Sequence, residues 1–392
     1  MKNYSRLLVP FVIISLLAVA IPSVGPVDAA IKPSQFALNS AVLVGLKNSL
    51  KTKEFFVDHQ LAQINVERLE ETSRQGLGDP FRGADETVEW ELGNKKAKGI
   101  SALQAEGTRL AAEAKLRQDL QTYVTDVKSN FLTALKTKQS VSLTELQLER
   151  AKRQEANAKL SLDAGIVAQV DYESAQSNRK LAEIELQNAK LSLESSYFDL
   201  KEIIGYEPGD TVVIEGELNY QPVGQLNYEA DLAKAIENSP AIIQLQLQRD
   251  VAQITYDIVR PYQPDSFIGN RENLANLQKA QAQLDQGKQA LAFQLKKLHL
   301  QIQQISGQIA SLDEIVAQAQ RSLEVTEARY KAGMGTTLDV MQAQVGLLQA
   351  ELNRLEAVFA YTNAIEARKV LIGEDREVIE SFIANRLKAE QQ

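Results

Sequence analysis

The chain of 392 residues contains no cysteine, only two histidines and one tryptophan, and little proline or glycine, with 10 and 20 residues respectively. The lack of cysteine excludes disulfides and thiol chemistry, so helix packing has to supply the stability. His59 and His299 are far apart in the sequence, which leaves no ligand set for a metal site. The formal net charge of −8 argues against nucleic acid as a partner.

Motifs for catalysis are missing as well. The sequence has no phosphate-binding loop, nucleophile triad or acid–base pair, so we predict no enzymatic activity and no cofactor. We interpret His59 and His299 as ordinary surface or seam residues. The acidic pairs Glu70-Glu71 and Asp313-Glu314 are interpreted as solvated helix faces, and Trp90 as a loop anchor.

The N-terminus has the pattern of a secretory signal. Lys2 and Arg6 precede an apolar run from Leu7 to Ile21, and Val27-Asp28-Ala29-Ala30 fits the small-x-small rule for cleavage. A run of about 15 residues is short for a membrane span. We therefore predict an exported chain with a signal peptide at 1–29, an uncleaved anchor being the alternative.

Helix-forming residues dominate the remainder of the chain. Long stretches consist almost entirely of Ala, Leu, Gln, Glu, Lys and Arg, which is typical of extended coiled helices. From Leu291 to Leu323 the apolar residues recur at alternating steps of four and three, the 3.5-residue period of a left-handed coiled coil. We predict helices over Ser101–Asp163 and Arg271–Lys331, each roughly 90 Å long at 1.5 Å per residue.

One structural unit occurs twice in the sequence. Several short matches repeat at a constant offset of 168 positions, and a further one, upstream, at an offset of 190. The matches are Ala164-Gly165 with Ala332-Gly333, Asp171 with Asp339, Ile204-Gly205 with Ile372-Gly373, and Asn48-Ser49 with Asn238-Ser239. The predicted fold class is therefore all-α, with long antiparallel coiled-coil hairpins in two tandem repeats.

The repeat also sets the predicted domain boundaries. The first helical-hairpin repeat covers 30–205, the second covers 228–373, and a helical tail follows at 374–392. The linker between the repeats, 206–227, contains the best strand candidate, Thr211–Leu218, which we expect to pack on the outside of the helices.

The hairpin turns carry recognisable capping residues. Each long helix stops at an Ala-Gly pair, where Gly165 or Gly333 can take the left-handed conformation. Thr336 and Asp339 have the spacing of a helix-starting cap. Taken alone, these glycines could end helices in any antiparallel coiled coil, and Asp171 and Asp339 could be simple first-turn acids that suit the helix dipole.

The second turn provides a resemblance to a known family. Tyr330-x-Ala-Gly-Met-Gly-Thr-Thr-Leu-Asp339-Val-Met-Gln-Ala-Gln344, ending at Leu371-Ile-Gly373, is similar to the TolC family of outer-membrane efflux proteins, and the first repeat holds a weaker copy. The resemblance implies an α-barrel protomer and a homotrimer whose twelve long helices form a periplasmic tunnel for efflux or type I secretion. It further implies that the hairpin tips meet a periplasmic adaptor protein and an inner-membrane pump. The tip turn and gate residues it implies are Gly165, Asp171, Tyr330, Gly333 and Asp339.

At the gate the sequence departs from the family pattern. Gly335 stands where a well-known member carries a cation that latches the closed state, and Gln342 stands where an acid is common. A charge-assisted bond contributes about 1–3 kcal/mol, so we expect a weaker latch or a different one. One hydrogen bond between Tyr330 and Asp171 could still join the hairpins.

The linkers depart further. The resemblance implies two membrane strands in each linker, and such a pair with its turn needs about 25 residues. The segment Arg260–Asn270 has 11 residues and two prolines, and Asp85–Glu91 places acids at lipid-facing positions. We therefore predict that the β-barrel is absent or vestigial. The alternative function is a barrel-less coiled coil of the cell envelope with a structural or adaptor role; membrane association, and outer membrane against periplasm or cell surface, stay open.

Overall fold

The computed structural model of the protein describes residues 36–75, 101–224, 226–262 and 267–390. The predictions for the signal peptide, for the acidic stretch Asp85–Glu91 and for Trp90 lie outside these residues. Within them the fold is all-α, which confirms the predicted class.

Nine α-helices follow one another in the described part of the chain. They are α1 (Leu38–Asn48), α2 (Leu50–Gln75), α3 (Ser101–Asp163), α4 (Gln169–Ile204), α5 (Tyr228–Asn238), α6 (Pro240–Val259), α7 (Ile268–Lys331), α8 (Thr337–Leu371) and α9 (Arg376–Glu390). The predicted order of short helix, helix, very long helix, tight turn and long helix therefore occurs twice. The second long helix, α7, begins three residues before its predicted start at Arg271.

The predicted coiled-coil seam is the buried face of α7. Leu295 and Ile309 are fully buried there, and Leu291, Ile302, Ile305 and Leu323 are nearly so. In α3 the matching steps bury Leu120, Val124, Val127 and Phe131. These side chains point to one side of each helix because a 3.5-residue period follows the helix turn closely. The seam prediction is confirmed.

The long helices form a wall of four columns. On one side α3 contacts α2 and α4, and on its other side it contacts α6 and α8. The fourth column, α7, contacts α6 and α8. The wall therefore has two edges of different composition, one formed by α2 and α4 and called the α2–α4 edge, and one formed by α7 and called the α7 edge.

Two shorter helices stack end to end to match the length of each long one. At the end of α4, Gly205 has φ +79°, and a Cβ on it would lie 2.9 Å from the backbone C and O of Asn48, where α1 ends. At the end of α8, Gly373 has φ +80°, and a Cβ would lie 2.6 Å from Cβ of Asn238. The glycines that repeat at an offset of 168 therefore contact the asparagines that repeat at an offset of 190, once in each repeat.

The two repeats are joined by a buried ionic cluster, which the sequence did not predict. Lys128 of α3 is 4% exposed, and its Nζ lies 2.9 Å from Oε2 of Glu366 in α8 and 2.8 Å from Oδ2 of Asp375. Burial raises the pKa of Glu366, but hydrogen bonds from Lys369 and Lys128 outweigh it and hold the pKa below its usual value. Glu366 therefore stays charged and paired with Lys128 at neutral pH.

A second buried cluster joins α5, α7 and α8. Asp231 of α5 accepts hydrogen bonds from Nε and Nη2 of Arg368, both at 2.6 Å, and lies 2.9 Å from Nε2 of His299. Burial raises the pKa of Asp231. The hydrogen bonds and charges of Arg368 and His299 lower it by more, so the pKa lies below its usual value. His299 is at a seam position, as expected, but it also takes part in this polar cluster.

The predicted strand Thr211–Leu218 is wrong, because only one residue of it pairs. Ile214 forms an isolated parallel bridge with Phe36, in which Phe36 N donates to Val213 O and Glu215 N donates to Phe36 O, both at 2.8 Å. The carbonyl of Ile214 accepts instead from Nζ of Lys138, at 2.9 Å. A strand needs a neighbouring strand to pair with, and this segment lies against helices.

None of the described helices combines the length and the apolar character that a membrane-spanning helix needs.

Replacing Lys128 with Met should destabilise the protein by about 3–5 kcal/mol, because two carboxylates would lose their buried cation. The control is Lys136→Met, since Lys136 pairs with Glu356 at 3.0 Å but the Glu356 side chain is 62% exposed. The control should cost about 1 kcal/mol or less. Urea unfolding followed by circular dichroism measures both, and equal losses would contradict the importance of the buried cluster.

Replacing Gly205 with Ala should cost more than replacing Gly165 with Ala. Both glycines have positive φ, so both alanines carry the left-handed penalty of about 1–2 kcal/mol. Only at position 205 does the new Cβ meet backbone atoms, whereas at position 165 nothing lies within 4 Å. Thermal unfolding measures the melting temperature of both variants, and we expect the lower value for Gly205→Ala. Equal melting temperatures would show that the helices at the junction can move apart at little cost.

Candidate functional site

The first hairpin tip is a short, tightly hydrogen-bonded turn. After α3 ends, Gly165 adopts φ +71°. Its N–H donates to Leu162 O at 2.9 Å, and Ile166 N donates to Ser161 O at 2.8 Å. This is the Schellman pattern, in which a left-handed residue lets two amides close the helix end.

The second tip has the same backbone. Gly333 adopts φ +73°, Gly333 N donates to Tyr330 O at 3.0 Å, and Met334 N donates to Arg329 O at 2.8 Å. Each of these atoms lies 168 positions after its counterpart in the first tip. Because nothing lies within 4 Å of a Cβ on either tip glycine, glycine is needed here for its φ and not for space.

Each tip presents two exposed apolar side chains, which the sequence analysis missed. Ile166 and Val170 are 72% and 68% exposed in the first tip, and Met334 and Leu338 are 69% and 55% exposed in the second. They follow the tip glycine by one and five residues in both repeats. The sequence offered one signal for this surface, namely that apolar residues recur at the same two positions after the tip glycine in both repeats. Apolar side chains that are exposed at the same place in both copies point to a contact surface.

Asp171 and Asp339 both cap the helix that leaves the tip. Asp171 Oδ2 accepts from Ala168 N at 3.2 Å. Asp339 Oδ2 accepts from the backbone N and the hydroxyl of Thr336, both at 2.8 Å, while Asp339 N donates to Thr336 Oγ1 at 3.2 Å. These hydrogen bonds hold the pKa of Asp339 below its usual value. The predicted cap at Thr336 is confirmed.

Tyr330 lies at the end of α7 with its hydroxyl unused. The ring packs against a small apolar cluster that includes Leu323, Val340 and Leu347. Its hydroxyl is buried and has no hydrogen-bond partner among the described residues. Within one chain, therefore, Asp171 bonds to its own backbone, and no hydrogen bond joins it to the buried Tyr330 hydroxyl.

The two positions at which the sequence departs from the family pattern lie on this second tip. Gly335 lies close to the end of α7, where a Cβ would be 3.2 Å from Tyr330 N. Gln342 is exposed on the first turns of α8. Neither side chain carries a charge, so neither supplies an ionic latch.

Toward the first tip, small and polar side chains replace the large apolar ones in the seam. Ala151 and Ala182 are buried there, together with Gln154 and Asn178. Gln154 Nε2 and Asn178 Nδ2 have no hydrogen-bond partner among the described residues. The second hairpin keeps an aliphatic cluster near its tip, formed by Leu323, Val340 and Leu347. A seam with small side chains and unpaired amides is held less tightly than an aliphatic one, so we expect the tip half of the first hairpin to open more easily than its base.

The acidic pairs form ordinary contacts. Glu70 lies 3.5 Å from Arg74 on the same exposed helix face. Asp313 also joins α7 to α8 through a hydrogen bond from Arg354. In the described part of the chain no group of three or more His, Asp or Glu side chains is placed to hold a metal ion.

Both edges of the wall expose apolar stripes. On the α2–α4 edge the exposed residues are spaced as in a coiled-coil seam: Leu181, Ile184, Leu191 and Phe198 in α4, then Leu50, Val57, Leu61 and Ile64 in α2. On the α7 edge they are Ile268, Phe293, Leu300, Ile315 and Val325. Such stripes normally face another helix, so each edge has the character of an interface.

Comparison with known proteins agrees with this architecture. The chain is 27% identical over 304 residues to the cobalt-zinc-cadmium resistance protein CzcC of Cupriavidus metallidurans, a match that covers 68% of this chain and 70% of CzcC. Among solved structures, the outer-membrane channel OprN superposes with a TM-score of 0.68 at 14% identity, covering 86% of this chain and 89% of OprN. VceC of Vibrio cholerae superposes with a TM-score of 0.63 at 14% identity, covering 86% and 95%.

The family assignment rests on the sequence itself. The sequence model described as "Outer membrane efflux protein" matches residues 88–206 and 270–374, which together make up more than half of the chain. The two matched blocks contain the two long hairpins and both tips. This chain belongs to the outer membrane efflux protein family.

Proposed function

We propose that three copies of this chain close into a ring whose helical wall is the conduit of an efflux or secretion assembly. The observation that carries the proposal is the pair of apolar edges on one wall. A lone wall would leave the stripes of both edges in water, whereas a ring covers all of them.

The two edges differ in sequence, which determines the symmetry of the assembly. An interface between the α2–α4 edge of one copy and the α7 edge of the next is head-to-tail, and such interfaces build rings when the rotation closes. Four columns in each copy give the twelve columns of a trimer. Fully burying one Leu or Phe side chain contributes about 1.5–3 kcal/mol, so stripes of this length can offset an association cost of about 4–15 kcal/mol.

The tips are the proposed docking end. Ile166, Val170, Met334 and Leu338 would give a trimer six apolar turns at one end of the tunnel, and each turn is held by its Schellman bonds. A periplasmic adaptor protein bound to an inner-membrane pump is the partner we propose for this surface. Because the turns are already ordered, docking costs little conformational entropy.

The same turns are the proposed gate. Gly165 and Gly333 set the turn geometry, and Asp171 and Asp339 fix the helices that leave it. The Tyr330 hydroxyl is buried without a partner among the described residues, so it would reach a neighbouring copy or hairpin only after the side chain rotates outward. With Gly335 and Gln342 uncharged, we expect a weak latch. A closed-state conductance as low as that of a salt-latched relative would contradict this.

We expect such a wall to select its cargo weakly, because the proposed function depends on shape and gating and not on a binding site. The name of the relative CzcC is the ground for including cobalt, zinc and cadmium salts among the compounds to be tested. The wall would conduct them as cargo, with the pump determining which compounds enter.

A coiled-coil structural or adaptor role without a channel is the second candidate. Its support is the short Arg260–Asn270 linker, in which α6, the turn Arg260–Tyr262 and α7 follow one another closely. The two functions differ in whether the assembled ring conducts.

The purified exported chain should be a trimer by mass and should conduct ions across a planar bilayer. Mass is measured with and without detergent, and conductance at several protein concentrations. A trimer that never conducts would favour the structural role. A monomer under all conditions, without conductance, would contradict both the ring and the conduit.

The double variant Ile166→Asp/Met334→Asp should fold and assemble normally but lose export. Both side chains are largely exposed, so their loss changes stability by no more than about 0.5 kcal/mol. The measurement is growth of the producing bacterium on metal salts and a panel of toxic organic compounds, with protein amount and trimer mass as companions. The matched control is Leu43→Asp, which alters an exposed leucine on α1, away from the tips. Equal export by both variants would contradict docking at the tips.

A further inference from the structure

The two repeats place the same residue in opposite environments. Leu132 in α3 and Leu300 in α7 are 168 positions apart and occupy the same place in the repeat. Leu132 is buried at 3% exposure, whereas Leu300 is 54% exposed. The difference arises because α3 lies inside the wall and has a helix on both sides, while α7 is an edge.

Leu132 shares a core cluster with Leu355 and Val358 of α8, and two ion pairs fix how α8 is aligned along α3. Lys128 Nζ lies 2.9 Å from Glu366 Oε2, and Lys136 Nζ lies 3.0 Å from Glu356 Oε2. Leu132 lies one helical turn from each lysine, between them on the same face. We call this contact between α3 and α8 the repeat joint.

The repeat offset maps this joint onto the two outer edges. Adding 168 to the α3 residues gives Lys296, Leu300 and Gln304 on α7, and all three are exposed. Subtracting 168 from Glu356 and Glu366 gives Asn188 and Phe198 on α4, which are also exposed. Each half of the joint therefore exists a second time, at edge positions whose side chains are exposed in the described part of the chain.

We infer that the α7 edge binds the α4 helix of a second copy in the register of the repeat joint. Gln304 then faces Asn188 of the partner subunit, and Leu300 is covered by the stretch of α4 that runs from there to Phe198 of the partner subunit. The inference rests on the proposed ring and adds to it the specific pairing of residues. A second copy is the occupant because it alone carries the other half of the joint at the matching offset.

The chemistry of the new joint differs from that of the repeat joint. Where Lys128 meets Glu366 and Asp375, Lys296 meets Phe198 and Glu207 of the partner subunit. Lys296 Nζ already lies 5.0 Å from the ring centroid of Tyr228, so it approaches aromatic faces readily. One carboxylate is replaced by an aromatic ring, which gives an interface that buries less charge than the joint inside the chain.

Cysteine cross-linking tests the register, because the chain has no cysteine of its own. The double variant Gln304→Cys/Asn188→Cys, treated with a short bismaleimide, should give covalent dimers and trimers on a denaturing gel. Both positions are exposed amides, so folding is preserved. The positive control is Lys136→Cys/Glu356→Cys, because the side chains of Lys136 and Glu356 meet inside one chain. This calibration pair should be linked within one chain, so the chain should still run as a monomer on the denaturing gel.

The register control is Gln304→Cys/Ser195→Cys. Ser195 is exposed and lies seven residues beyond Asn188, about 10 Å further along α4. We expect at least tenfold less cross-linking for this pair at the same protein concentration. Equal or greater cross-linking would overturn the register.

The remaining outcomes separate this inference from the proposed function. The mass can show a trimer while neither interface pair is cross-linked and the calibration pair reacts. In that case the copies meet elsewhere, which overturns the inference and leaves the ring intact. A monomer by mass overturns both. Cross-linking of Gln304→Cys/Asn188→Cys in a trimer that does not conduct supports the inference and contradicts the conduit.

Discussion

Two helices end where two others begin, and at each junction a glycine with positive φ lies against an asparagine. Gly205 lies against the backbone of Asn48, and Gly373 lies against the side chain of Asn238. A side chain at either glycine would separate the stacked helices by the width of a methyl group. The rest of the wall depends on this close approach, because α3 and α7 are too long for one partner helix and are buried along their length only if two shorter helices act as one column.

From this constraint follows the division of the wall into parts of different strength. Near the junctions the seams contain Tyr123, Phe131 and Leu200, and the buried Lys128 cluster joins the repeats. Toward the first tip, alanine and unpaired amides such as Gln154 replace them, whereas an aliphatic cluster around Leu347 lies near the second tip. A rigid base and a looser first tip suit an assembly that has to stay closed as a tube and open at one end.

Because of the duplication, the chain carries two copies of each helix surface, and the two copies lie in different surroundings. Inside the wall the contact between repeats is joined by ion pairs, with Lys128 and Lys136 reaching Glu366 and Glu356. At the edges Lys296 keeps the charge of Lys128, but the other three equivalent positions hold Gln304, Asn188 and Phe198, which suit contacts between copies that form after each chain has folded. Burying fewer charges lowers the desolvation cost that association has to overcome.

The helices, the coiled-coil seam, the repeat, the tip glycines and the cap at Thr336 could all be predicted from the sequence, because each depends on local periodicity or on a short motif. The sequence did not predict the Lys128 and Asp231 clusters, since Lys128 and Asp231 each lie more than 60 residues from their partners and meet them only when the columns align. Its pattern predicted a strand at Thr211–Leu218. This prediction was wrong because the segment lies against helices and has no neighbouring strand to pair with. Which of the two equivalent leucines is buried, Leu132 or Leu300, follows from the packing of the columns, because burial depends on a neighbouring column that no local pattern encodes.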